Sequence, residues 1–146
     1  MQEYDDPMGE VTVRVKLSNF VDLERSASGE DVRRRTVEVD AIADTRAVRS
    51  VIPAHIAEAL GLRVVPGRSA RLADGNAVPT GRVRGLVLEI LGRDTEEEAM
   101  VLGNEVLIGQ TTLEATDLVV DCANQRVYPN PDNPTWTLKL RLTPHF

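Results

Sequence analysis

The chain has 146 residues, 42% of them hydrophobic but only 3% aromatic, and a formal charge of -6. That length and apolar share fit one domain with a core of Val, Leu, Ile and Ala, and they exclude a disordered chain. The acidic balance argues against a nucleic-acid or anionic-membrane surface, since both need a basic face.

Residues 1–9 are acidic and polar and read as a loose end with no apolar signal region. From Glu10 to Leu17, Val11, Val13, Val15 and Leu17 alternate with Thr12, Arg14 and Lys16, which predicts a strand with one buried face. Residues 18–35 are rich in Ser, Gly and charge and predict a long loop, tacked down by Val21 and Leu23, with Arg33-Arg34-Arg35 solvated. Small and β-branched residues over 36–43 predict a second strand, antiparallel to the first.

A turn at Asp44-Thr45-Arg46-Ala47 leads to the short apolar run Val51-Ile52. Pro53 then opens a helix over 53–60 whose apolar side is Ile56, Ala59 and Leu60, closed by Gly61. His55 falls in its first turn, where a solvent-facing helix residue explains it as well as a catalytic base does. Residues 69–73 and 77–83 flank Asp74-Gly75-Asn76, a hairpin signal.

Residues 86–91 and 99–102 predict strands, separated by an acidic turn over 92–98 with Glu96, Glu97 and Glu98 solvated. A second short helix is expected over 110–116, and a hairpin pairs 118–121 with 125–128 around Cys122-Ala123-Asn124. The order strand, turn, strand, helix follows Thr36 and recurs in degenerate form after Ala99. Beyond three prolines, Trp136, Leu138, Leu140 and Leu142 alternate, which predicts a terminal strand open to pairing with another chain.

Cys122 is the only cysteine, and the two histidines, His55 and His145, lie far apart with no Cys/His pairs at metal-ligand spacing. No metal and no cofactor is expected. No apolar run is long enough to cross a bilayer, and the expected location is cytoplasmic.

An Asp on a tight turn after an apolar strand is presented by a rigid element, where reactive groups are commonly held. Asp and Thr also form ordinary hydrogen-bonded turns. Residues 41–62 match a longer pattern: an apolar strand, Asp-Thr-x-Ala, a second apolar strand, then a helix ending in Gly61-Leu62. This segment resembles the active-site region of retroviral-type aspartic peptidases, the retropepsin-like family. Val106-Leu107-Ile108-Gly109 resembles that family's second signature.

The resemblance implies an all-β, closed, barrel-like fold with one or two short helices, the longer near 54–60, and one half-site per chain. The domain would span 10–128, with 1–9 a flexible terminus and 129–146 an extension whose last strand meets a second copy. It implies Asp44 as the catalytic carboxylate and Thr45 as a hydroxyl reaching the partner's loop. Ala47 would pack under the loop, and Leu107, Ile108 and Gly109 would brace Asp44. Residues 71–81 would form the flap over a bound peptide, with Ala73, Asp74, Gly75 and Asn76 at its tip.

Such enzymes activate a water between two carboxylates sharing one proton. This chain has one Asp-Thr-x-Ala segment, and Asp117 and Asp121 lack the following Thr and small residue. The resemblance therefore implies a homodimer acting on a peptide or protein substrate.

Arg46 stands where the family has Gly. Pointing into the cleft, it would fill substrate space and offset the repulsion that keeps the shared proton. Pointing outward, it would pair with Glu58 or Glu89. The reading is an aspartic endopeptidase impaired near neutrality, and the alternative is an inactive homologue that binds peptides or only dimerises.

Overall fold

The computed structural model describes residues 10–143. Its elements in chain order are β1 (Thr12–Asn19), α1 (Phe20–Ala27), β2 (Thr36–Ala43), β3 (Val51–Ile52), α2 (Ala54–Ala59), β4 (Val65–Pro66), β5 (Ala70–Arg71), β6 (Ala77–Val78), β7 (Gly81–Ile90), β8 (Arg93–Val101), β9 (Leu107–Ile108), α3 (Gln110–Thr116), β10 (Leu118–Asp121) and β11 (Arg126–Pro129). Strand covers 40% of the residues and helix 16%, so the β class holds despite a third helix.

The main sheet runs β1-β2-β9-β3-β8-β7, and β1 pairs with β7 to close a six-strand barrel, with β4 on the outside of β7. Closure works because β1 is shared. Its length pairs with β2 from Thr12↔Ile42 to Ser18↔Thr36, and its last turnings toward β7 pair from Lys16↔Glu89 to Asn19↔Leu86. Val15, Leu17, Ile52, Leu60, Val83, Leu86, Leu88, Ile90 and Ile108 fill the interior and are essentially inaccessible. Burying each such aliphatic side chain contributes about 1.5–3 kcal/mol.

The internal repeat takes a definite form. β2, β3 and α2 make one unit, and β8, β9 and α3 make the other. β2 lies parallel to β9 and β3 lies parallel to β8, while β3 and β9 meet antiparallel at Val51↔Leu107. Exchanging the two units maps this pairing onto itself. The backbone bonds follow the same exchange. Ile42 N donates to Val106 O (2.9 Å) and Asp44 N to Ile108 O (2.9 Å), while Met100 N donates to Ser50 O (3.0 Å) and Leu102 N to Ile52 O (3.1 Å). Leu102 therefore occupies in the second unit the place that Asp44 occupies in the first.

Several sequence expectations need correction. Residues 20–27 form α1 rather than part of a loop, and at eight residues α1 is the longest of the three helices among the described residues, longer than α2. Asn19 caps it, accepting from Val21 N (2.9 Å) and Asp22 N (3.3 Å). Its amide also donates to Leu60 O at 2.8 Å, which ties α1 to the end of α2. Within the acidic stretch 92–98, residues 93–98 belong to strand β8, and the turn is confined to Leu91 and Gly92 at positive φ (53° and 81°).

Residues 136–142 form no strand, and Trp136, Leu138, Leu140 and Leu142 are exposed. The hairpin around Gly75 keeps only two residues per strand, and Val83 belongs to β7. The expectation for residues 1–9, and His145, lie outside the described residues.

Arg93 explains how the C-terminal segment is held. Its side chain is 5% exposed. One guanidinium nitrogen donates to Thr116 O and Asp117 O, and the other to Asn133 O and Pro134 O, all at 3.0–3.2 Å. Four carbonyls from two chain segments are thus gathered on one cation from β8, and Trp136 sits against the same guanidinium. No helix among the described residues is long and apolar enough to cross a membrane.

Candidate active site

Asp44 follows the last residue of β2, and its loop runs to Ser50, where β3 begins. The loop is bound to the segment after β9 at four points. Asp44 N donates to Ile108 O (2.9 Å), Gln110 N to Ala47 O (2.7 Å), Thr111 N to Val48 O (3.0 Å), and Gly109 N to the Ser50 hydroxyl (2.9 Å). Leu107, Ile108 and Gly109 therefore lie directly behind Asp44. Gly109 is required by space rather than by φ: a Cβ there would lie 2.5 Å from both the carbonyl carbon and oxygen of Arg49.

Beneath the loop lies a buried hydroxyl relay. Ser50 and Thr112 are inaccessible, and their hydroxyls are 2.6 Å apart. Thr112 Oγ1 donates to Glu97 Oε1 at 2.7 Å, so its single proton is committed there and Ser50 must donate to Thr112. Ser50 in turn accepts from Gly109, and the relay locks the loop to α3 and β8. Glu97 is accordingly half-buried, not solvated.

Asp44 is half-buried, while Thr45, Arg46 and Val48 are exposed, Val48 at 70%. Arg46 does not reach for Glu58 or Glu89. Its backbone N–H (3.0 Å) and its Nε (3.1 Å) both donate to Asp44 Oδ1. Asp44 and Arg46 side chains are 21% and 91% exposed, so this is a surface pair with a small energetic weight. Its consequence is chemical, because one carboxylate oxygen is already occupied by a cation.

The other carboxylates considered have structural work. Asp117 accepts from Asn130 and Asn133, chiefly the latter, and these bonds hold its carboxyl below the usual range. Asp121 is held low in the same way by the side chain and backbone of Asn124 in the β10–β11 turn. Neither is arranged like Asp44.

The hairpin of β5 and β6 has Asp74, Gly75 and Asn76 at its tip, after Ala73. Asp74 accepts from the backbone (2.9 Å) and side chain (3.1 Å) of Asn76, and Gly75 turns at φ 89°. Arg71 braces the tip by donating to Gly75 O at 2.7 Å. His55 is exposed on α2, and Cys122 is exposed. Among the described residues no group of three or more His, Cys, Asp or Glu is placed to hold a metal ion.

A cavity of about 500 Å³ lies under the C-terminal segment, between α3 and Trp136. It does not include Asp44, and its roof is the exposed tail, so it is an overhang rather than a reaction chamber.

Sequence reasoning missed Ser50, Thr112 and Glu97. They stand 62 and 15 residues apart along the relay, and no local pattern links them. Neither the protein-family models nor the curated proteins compared with this chain give a match.

Proposed function

We propose that this chain is an aspartic-type endopeptidase-like protein of retropepsin type, whose complete site forms when two copies bring their Asp44 loops together. The observation that carries the reading is the exchange relation between the two units. The loop after β2 offers a carboxylate, Asp44, and the equivalent place in the second unit is Leu102. One chain supplies half of a dyad.

A second copy would supply the other carboxylate across a twofold axis, the commonest closed geometry for identical chains. The exposed Thr45 and Val48 lie on the face that would make that contact. The pair of carboxylates would then activate water, one as base and the other as hydrogen-bond donor to the scissile carbonyl. Thr45 is the hydroxyl assigned to the partner's loop, and the β5–β6 hairpin is the flap.

A second reading is favoured by one observation, the two bonds from Arg46 to Asp44 Oδ1. In that reading the chain binds a peptide without cleaving it. Sedimentation at micromolar concentration, where interfaces of ordinary size are occupied, should give a dimer of the 16.0 kDa chain. A monomer alone removes the composite site. Peptide cleavage that persists unaltered in Asp44→Asn removes the assignment of Asp44.

A further inference from the structure

Two cavities share Arg82 of β7, the smaller at the base of the β5–β6 hairpin and the larger beside β4. One, of about 270 Å³, is lined by Arg49, Arg68, Thr80, Arg82, Glu98 and Met100 among others. The other, of about 460 Å³, is lined by Arg63, Val65, Pro66, Arg82 and Arg84. Arg82 belongs to both. Five arginines and one carboxylate line the two cavities together, a local excess of four positive charges on a chain whose formal charge is -6.

The sequence builds this cluster simply. Arg82 and Arg84 alternate along β7 and so share a face, and a register shift between Val83 and Leu86 breaks the ladder beside them. Met100 is opposite Arg82, which brings Glu98, two residues earlier on β8, diagonally under both arginines. Arg49 enters from the end of the Asp44 loop, and Arg68 from the strand-to-hairpin connection.

Glu98 does not neutralise the group. It accepts a hydrogen bond from Arg82 at 2.8 Å, but Arg84 and Arg49 stand at 3.6 and 4.0 Å, at ion-pair range only. Arg82 first, with Arg49 and Arg84 adding their charge, holds the Glu98 carboxyl below the usual range. Each guanidinium carries five donors and a carboxylate has two oxygens, so most donors in the cluster face solvent. Among the described residues Arg63 and Arg68 make no ion pair.

We propose that these cavities form a subsite for a carboxylate side chain, Asp or Glu, so that the protein selects acidic peptides. This rests on the peptide-binding reading above and names its substrate class. A carboxylate would gain charge-assisted bonds from Arg68 in the smaller cavity, or from Arg63 and the unused donors of Arg84 in the larger. The position fits an extended peptide, since the smaller cavity lies between the hairpin base and Arg49, five residues beyond Asp44. A polynucleotide fits less well, because the rest of this acidic surface would repel its phosphates.

The test is fluorescence anisotropy on the full chain with two labelled decapeptides of Ala, Leu and Ser, identical except for a central Glu or Gln. At low salt the native chain should bind the Glu peptide about tenfold more tightly, as expected for one charge-assisted contact. That advantage should vanish below about pH 4, where the peptide Glu is protonated. Arg63→Gln/Arg68→Gln removes two arginines without breaking an ion pair, and it should bind both peptides equally.

Equal affinities in the native chain overturn the proposal, as does no measurable binding of the Glu peptide or an unchanged preference in the double variant. Tighter binding to a single-stranded oligonucleotide or to phosphatidylserine vesicles than to the Glu peptide also overturns it. The peptidase reading is separated by Asp44→Asn. A preference for Glu without cleavage leaves the subsite standing, and cleavage without that preference leaves the peptidase standing alone.

Discussion

Arg46 and Asp44 are joined through a single oxygen: the backbone N–H and Nε of Arg46 both donate to Oδ1 of Asp44, at 3.0 and 3.1 Å. The carboxylate at the end of β2 is therefore answered by a cation two residues away. A dyad needs its carboxylates to face each other and a water, and to retain one proton between them. In the proposed dimer, a guanidinium on each Asp44 would compete with that water for Oδ1.

Arg46→Gly should therefore raise peptide cleavage by at least about tenfold, the effect of one interaction of ordinary size at the reacting group. The measurement is turnover of a quenched peptide from pH 4 to 8, with pepstatin as inhibitor. Equal rates across that range would make Arg46 irrelevant.

The pair Asp22–Arg35 predicts a pH dependence of stability. Asp22 is 3% exposed and accepts from Arg35 N (3.0 Å), Nε (2.8 Å) and Nη2 (2.7 Å). The Arg35 side-chain bonds, working against burial, lower its pKa from 3.8 to about 2. The unfolded chain then takes up the proton first. The stabilisation is complete above pH 4 and is lost as pH falls toward 2. It amounts to about 1–2 kcal/mol, reduced by the partial exposure of Arg35. Urea denaturation of Asp22→Asn should show that loss already at pH 7 and a flatter profile between pH 4 and 2.

Gly109→Ala places a Cβ 2.5 Å from the backbone of Arg49. Backbone cannot rotate away as a side chain can, so the Asp44 loop must move. A destabilisation of about 1–3 kcal/mol is expected, as for an overpacked core site, together with loss of pepstatin binding. Gly75→Ala has open space but φ 89°, so it should cost about 1–2 kcal/mol at most and leave the Asp44 loop intact. Denaturation curves for the two variants separate these mechanisms.

Arg93→Met keeps an aliphatic stem but leaves the carbonyls of Thr116, Asp117, Asn133 and Pro134 without their donor. A loss of about 2–4 kcal/mol is expected for stranding several acceptors at one buried site. Limited proteolysis should cut the segment after Pro129 first. Arg93→Lys should not rescue it, because an ammonium cannot span two carbonyl pairs as the planar fork does.

The sequence by itself determined the β class, the Asp44 turn, helix 110–116 and the hairpin of β10 and β11. Each rests on local rules: alternation of period two, a turn residue at the right offset, an apolar stripe bounded by a breaker. It also carried the signal of α1 in Asn19 with Asp22 three residues on, a cap pattern outweighed by the Ser, Gly and charge that follow. Tertiary structure decided what no local rule reaches. The barrel closes because β1 is long enough to pair on both sides. Residues 93–98 of the acidic run become strand because Arg93 finds four carbonyls, Glu97 finds Thr112 and Glu98 finds Arg82, partners supplied by distant segments. The alternating tail 136–142 fails as a strand for the converse reason: in the single chain no neighbouring edge accepts its hydrogen bonds, and a strand is stable only when paired. The direction of Arg46 was likewise open in the sequence, where Glu58, Glu89 and the cleft all offered a partner. The fold placed it on Asp44, because a turn of two residues brings its own N–H and its side chain to the same oxygen.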